Sequence, residues 1–323
     1  MNDIINFASK PREGDPWEVA IIGSGPASFT AAIYTTRGAA STLILGGEKW
    51  GGQLMLTTTV DNFPGFPEGV QGPDLMQKMK AQAERFGAEF VAKNVEAVDF
   101  DKKPFEILAG GVKYLAKSII IATGADTKWL GVPGEKELIG RGVSSCAPCD
   151  APFFKGKRVA VVGGGDSAME EALTLTKYTD DVTIIHRRDE FRASVAMQKR
   201  VTENSKIKIL WNTEVTEIIG KDRVEKLILK NNKDGSSSEL PVDGVFVAVG
   251  HVPSTQVFAG KIEMDEKGYV VVKDSAAVNT HEGVFVAGDV HDWHYGQAVT
   301  AAGFGCMAGI EALRFLDKPA PSW

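Results

Sequence analysis

The chain has 323 residues, 43% of them hydrophobic and 24% charged, with a formal net charge of −6. That length predicts two domains, each able to bury its own core, while the acidic balance disfavours nucleic acid or an anionic membrane surface as a partner. No apolar run approaches the ~18 to 20 residues of a membrane span. The stretch from Met1 to Pro16 mixes charges with Pro and Gly and lacks a signal-like apolar core, so a cytoplasmic protein is expected.

The first predicted element is a buried parallel strand, Val19-Ala-Ile-Ile22. Gly23-Ser24-Gly25-Pro26-Ala27-Ser28 follows, then a helix to about Arg37, a strand at Leu43-Ile44-Leu45, and Glu48. In such a unit the glycines let the backbone approach a pyrophosphate whose charge rests on the helix N-terminus. An acid after the second strand accepts from ribose hydroxyls. Gly51-Gly52-Gln53-Leu54 and Asp61-Asn62-Phe63-Pro64-Gly65 read as loops whose amide side chains could line a ring system. Pro73 to Phe86 reads as an amphipathic helix with Leu75, Met79, Ala83 and Phe86 near one face. Phe90 to Ile121 reads as several strands, the last delivering Thr123-Gly124 towards the first glycine turn.

Cys146-Ala147-Pro148-Cys149-Asp150 then places two sulfurs within reach of a reversible disulfide, next to an acid that can hold or release a proton. The same C-x-x-C is half of a structural zinc site. Of five histidines only His291 and His294 form a close pair, and the third cysteine, Cys306, is distant, so the ligand count favours redox chemistry and no metal. Cys306 is expected to pack as a small apolar residue in a helix.

Directly after the pair the first unit recurs. Shifted by 140 residues, Val19-Ala-Ile-Ile-Gly-x-Gly falls on Val159-Ala-Val-Val-Gly163-x-Gly165, and Thr42-Leu-Ile-Leu on Val182-Thr-Ile-Ile185. Two nucleotide-binding units in register are therefore expected. They differ where it matters: the position matching Glu48 is Arg188, within His186-Arg187-Arg188-Asp189-Glu190-Phe191-Arg192. An acid suits a free ribose, as in FAD, whereas a cationic cluster suits the 2′-phosphate of NADPH.

The rest completes both units. Arg192 to Asn204 reads as helix and Lys206 to Leu240 as strands and hairpins, with a turn at Asn231 to Gly235 and a solvated tip at Ser236 to Ser238. Gly244 to Gly250 and Gly283 to Gly288-Asp289 read as buried strands ending in glycine, the second followed by an acid able to accept from a polyol. Gln297-Ala298 opens a helix to about Leu316, whose N-terminus would favour electron density on a bound flavin. The expected fold is α/β: two Rossmann-like dinucleotide-binding domains, the second inserted into the first. Residues 1–124 and 250–323 form the discontinuous FAD domain, and 125–249 form the NADPH domain that carries the dithiol.

In order and spacing these motifs resemble the low-molecular-weight thioredoxin reductases, NADPH-dependent flavoprotein disulfide reductases. The segments that carry the likeness are Gly23-x-Gly25-Pro26-Ala27, Gly51-Gly52-Gln53-Leu54, Ala122-Thr123-Gly124-Ala125, Cys146-x-x-Cys149-Asp150, Gly163-Gly164-Gly165-Asp166-Ser167-Ala168, His186-Arg187-Arg188-x-x-x-Arg192, Gly288-Asp289 and Gln297-Ala298. The resemblance implies a homodimer with one FAD per subunit, passing electrons from NADPH through FAD and the Cys146–Cys149 disulfide to a thioredoxin. By position, Cys149 lies nearest the flavin, Cys146 attacks the partner disulfide and Asp150 is the acid/base. Gln53, Asp289, Gln297 and Ala298 match flavin-contacting positions, and Arg187, Arg188 and Arg192 match the 2′-phosphate set. Asn62, Thr123, Asp166, Ser167 and His186 join them as cofactor-binding candidates. Gly296 stands where such enzymes often carry Arg, and Ser28 where Gly is usual. A cofactor-binding sensor is the rival from another class, and it would bind without multiple turnover.

Overall fold

A computed structural model describes residues 9–57, 59–273 and 281–318. Half of the Met1 to Pro16 stretch thus lies outside the described residues. The described helices are α1 (Pro26–Arg37), α2 (Gly72–Arg85), α3 (Ala147–Asp150), α4 (Asp166–Leu175), α5 (Val195–Thr202) and α6 (Ala298–Leu316). The chain divides into two compact units, Met1–Asp126 with Val252–Trp323, and Thr127–His251.

The first unit is built on a seven-stranded sheet. Glu89–Val91, Thr42–Leu45, Trp17–Ile22, the end of Val112–Ile121 and Val284–Val286 run parallel. The first half of Val112–Ile121 instead pairs antiparallel with Phe105–Ala109, which pairs with Val95–Asp99. The parallel strands are near-continuous apolar runs because both faces are covered. Val19, Ile21, Ile44 and Ile120 pack among the residues of α1, α2 and α6, while Ala20, Ile22, Leu43, Leu45, Ile119 and Ile121 pack on the other side with Phe105 and Phe258.

The second unit holds a five-stranded parallel sheet in the order Val143–Ser144, Gly244–Ala248, Val159–Gly163, Val182–Ile185, Ile207–Leu210. One face packs Val159, Val161, Ile184 and Phe246 among residues of α3, α4 and α5. The other packs Ala160, Val162, Val245 and Val247 with Val215, Ile218, Leu227 and Leu229 of a three-stranded antiparallel sheet. The repeat extends to strand register. Val19 pairs with Thr42 and Val159 with Val182, the same partners under the 140-residue shift.

Three expectations change. Helix α5 starts at Val195, not Arg192, because the Arg192 and Ser194 amides are committed to the Gly164 carbonyl and the Asp166 carboxylate. Ser237 and Ser238 belong to a strand, paired with Lys230 and Leu229, which shrinks the solvated tip to the turn before them. Helix α6 is long and apolar enough to cross a membrane by length and composition alone, contrary to the reading that no run comes near. Its small residues serve close packing on α1: a Cβ at Gly305 would fall 2.1 Å from the Ala27 carbonyl oxygen.

Candidate active site

In the second unit, strand Val143–Ser144 leads directly into the cysteine pair. Cys146 and Cys149 form a disulfide with Cα atoms 5.3 Å apart, and both side chains are half-buried. Pro148, inside the first turn of α3, lacks an N–H that would be unpaired there in any case. The acid beside the pair is held in a short network. The Ser144 hydroxyl donates to Asp150 Oδ2 at 2.6 Å, and Ser144 Oγ accepts the Cys146 N–H at 3.1 Å. Burial pushes the Asp150 carboxyl above its ordinary value, against the pull of the Ser144 hydrogen bond. Among the described residues Asp150 caps no helix with its side chain. Glu171 of α4 accepts the Ala147 N–H at 2.5 Å. Sequence reasoning missed both Ser144 and Glu171. The helical spacing from Ala168 through 171 to Leu175, on the buried side of α4, was the available signal for the glutamate.

The same unit carries the second glycine turn and the basic loop. A Cβ at Gly165 would meet open space, and α4 has no side-chain cap there. Asp166 turns to Ser194, accepting its N–H and its hydroxyl at 2.8 Å each, which lowers the Asp166 carboxyl. Ser167, Arg187, Arg188 and Arg192 are exposed, and among the described residues none of the three guanidinium groups joins an ion pair. His186 is different. Its ring is buried against Phe191 and Trp211, and Nε2 bonds the Glu190 carbonyl at 2.9 Å. It braces the loop from inside while the arginines face solvent.

In the first unit, Gly23 has φ +128° and sits where a Cβ would collide with the Ala122 carbonyl, while Gly25 leaves open space at the uncapped start of α1. Ser28, the residue in place of Gly, is fully buried with Oγ unpartnered among the described residues. Gly288, at φ +79°, would bring a Cβ to 3.0 Å from the Ala27 side chain, so the end of the last strand meets the start of α1. Asp289 follows. One of its oxygens, Oδ1, is buried without a partner, and burial together with the Asp292 charge pushes the carboxyl up to about 7. Asn62 Nδ2 donates to Gln297 Oε1 at 3.1 Å, joining two loops that the sequence had only placed separately. Gln53 Nε2 donates to the Ala125 carbonyl at 3.3 Å, and the Thr123 hydroxyl to the Ser254 carbonyl at 2.7 Å. Glu48 is exposed, 3.9 Å from Lys93. Gly296 has φ +56° with open space around it, a backbone that tolerates the missing side chain.

Cys306 is a half-buried free thiol on α6, in the helical stretch where the sequence places it. His291 lies edge-on to Phe304, and Trp293 is exposed with Lys267 4.1 Å above its ring.

The residues present fit the expected FAD. A diphosphate needs the open, uncapped turn at Gly25, and a polyol hydroxyl would satisfy the orphaned Asp289 oxygen. They also fit NADPH, through the uncapped Gly165 turn and the unpaired arginines.

Comparison with known proteins shows the family. A family model described as pyridine nucleotide-disulphide oxidoreductase matches residues 17–305. The chain is 50% identical over 305 residues to a thioredoxin reductase of Rickettsia conorii, covering 93% of this chain and 98% of the relative. It is 48% identical over 301 residues to one from Mycolicibacterium smegmatis, covering 93% and 97%. Among solved structures, thioredoxin reductase from Giardia duodenalis matches with a TM-score of 0.89 at 42% identity, covering 94% of this chain and 99% of that one.

Proposed function

The chain belongs to the pyridine nucleotide-disulphide oxidoreductase family, and within it we propose the activity of a thioredoxin reductase, carrying electrons from NADPH through FAD and the Cys146–Cys149 pair to the disulfide of a thioredoxin. The observation that carries this reading is the Cys146–Cys149 disulfide with a half-buried acid tied beside it by Ser144. Bound FAD supplies the means to take a hydride from NADPH and hand an electron pair to a disulfide.

The residues do the rest. Reducing the Cys146–Cys149 bond consumes two electrons and two protons and leaves two thiols. The Cys146 thiolate attacks one sulfur of the partner disulfide, and the partner's other sulfur leaves as a thiolate that takes a proton. The Cys149 thiolate then attacks Cys146 in the mixed disulfide, re-forming the internal bond and releasing the partner's second thiol. Asp150, whose carboxyl is raised by burial, is the group suited to hold a proton for the leaving thiolate. Gly23, Gly25, Pro26, Ala27, Glu48, Gln53, Asn62, Thr123, Gly124, Gly288, Asp289, Gln297 and Ala298 form the flavin side of the proposal. Gly163, Gly165, Asp166, Ser167, His186, Arg187, Arg188 and Arg192 form the NADPH side.

Nicotinamide and disulfide both need contact with one flavin, and Cys146 also needs a protein partner. We therefore propose that the inserted unit turns about the chain crossings near Gly124 and Gly250, both glycines in the left-handed region with φ +69° and +108°. The family resemblance and the acidic balance support a cytoplasmic homodimer that engages neither nucleic acid nor membrane.

The basic loop provides the test. Replacing Arg188 and Arg192 with Ala removes two charge-assisted contacts to a 2′-phosphate and should raise KM for NADPH about 10- to 100-fold while leaving NADH turnover nearly unchanged. An unchanged KM for NADPH would mean that the phosphate lies elsewhere.

A further inference from the structure

Two acids hold the turn that carries the dithiol, and only one of them lies in the C-x-x-C-D motif. Consecutive amides are fixed there: the Cys146 N–H by Ser144, which is itself bonded to Asp150, and the Ala147 N–H by Glu171 directly. Glu171 comes from α4, a helix whose neighbouring positions Ala168, Ala172 and Leu175 are buried. An uncharged glutamine would accept the same amide bond without the cost of desolvating a titratable group.

We propose that Glu171 is a positioning residue for the thiol chemistry, seating the dithiol turn through the Ala147 amide and opposing ionisation of the Cys146 thiol when it is itself ionised. Burial pushes the Glu171 carboxyl up to about 8; the Ala147 hydrogen bond works against the rise, and the charges of Asp150 and Glu170 add to it. Among the described residues those two carboxylates, one on the dithiol helix and one on its own helix, are the charged groups that bear on it. An ordinary cysteine thiol ionises near 8.5, roughly the same range. Two acids that titrate together and repel as anions give up their protons in separated steps. At neutral pH Glu171 keeps its proton and leaves the Cys146 thiolate unopposed; at higher pH it limits how far the thiol ionises.

The inference rests on Cys146–Cys149 being the working dithiol. Its test is the pH dependence of iodoacetamide alkylation at Cys146, read by peptide mass spectrometry on flavin-loaded protein reduced with dithiothreitol. The reduced Cys149 thiol titrates beside Cys146 in every variant, so the reading is the midpoint of the curve. Glu171→Gln, which keeps an oxygen for the Ala147 N–H but carries no charge, should move the midpoint about one pH unit lower. Glu171→Ala should lower the midpoint in the same way. A glutamate that merely props the turn predicts the wild-type curve in Glu171→Gln, and that result overturns the proposal. Failure of the underlying redox reading shows separately, as NADPH exposing no alkylatable thiol at Cys146 in the wild type.

Discussion

Asp289 and Asp292 lie three residues apart. Asp292 accepts the His294 and Tyr295 amides at Oδ1 and keeps Oδ2 buried without a partner among the described residues, while Asp289 keeps Oδ1 buried and unpartnered, with its carboxyl pushed up to about 7. Its unfolded value lies near 4, so folding favours the protonated form. That contribution is complete below about pH 4 and is lost as the pH rises through 7. In protein stripped of flavin, the wild type should therefore lose unfolding free energy relative to Asp289→Asn between about pH 4 and 7, on the order of a few kcal/mol. Urea unfolding at successive pH values reads the difference; parallel curves would show an ordinary carboxyl. Sequence made Asp289 a candidate because it follows a strand ending in glycine, but its orphaned oxygen depends on what packs around it. Ser144 and Glu171 escaped for the same reason, since their bonds to the dithiol turn exist only after the second unit folds. His186 reads as one of a basic run, yet its ring is buried while the arginines beside it are exposed.

Between helices, the decisive contact is α1 on α6. Gly305 lets α6 approach until a Cβ there would sit 2.1 Å from the Ala27 carbonyl oxygen, whereas Gly303, two residues earlier, has nothing within 4 Å. Gly305→Ala should push the helices apart and cost about 1–3 kcal/mol, disturbing the glycine turn at the start of α1. Gly303→Ala should be neutral or stabilising by up to about 1 kcal/mol through helix propensity. Thermal unfolding of the pair distinguishes them, and equal shifts would contradict the packing account. The elements themselves were largely legible: periodicity located α2 within a residue at each end, and glycine marked strand ends. The start of α5 was not, because long-range bonds from Gly164 and Asp166 claim the amides that local pattern assigns to the helix.

At the level of the whole molecule, the 140-residue repeat was the strongest signal in the sequence, and strand register repeats it residue for residue. What a repeat cannot give is motion. The proposed turning of the inserted unit predicts that a cross-link fastening it to the first unit abolishes steady-state NADPH turnover; full turnover in the linked protein would contradict it. The central claim, a relay from NADPH through flavin and dithiol to a protein disulfide, has a more direct test. Purified flavin-loaded protein is titrated anaerobically with NADPH, then with an oxidised thioredoxin, while flavin absorbance is followed. The account predicts bleaching by NADPH and recovery on adding thioredoxin, with recovery lost in Cys146→Ser. Bleaching without recovery in the wild type, or recovery that survives Cys146→Ser, would contradict it.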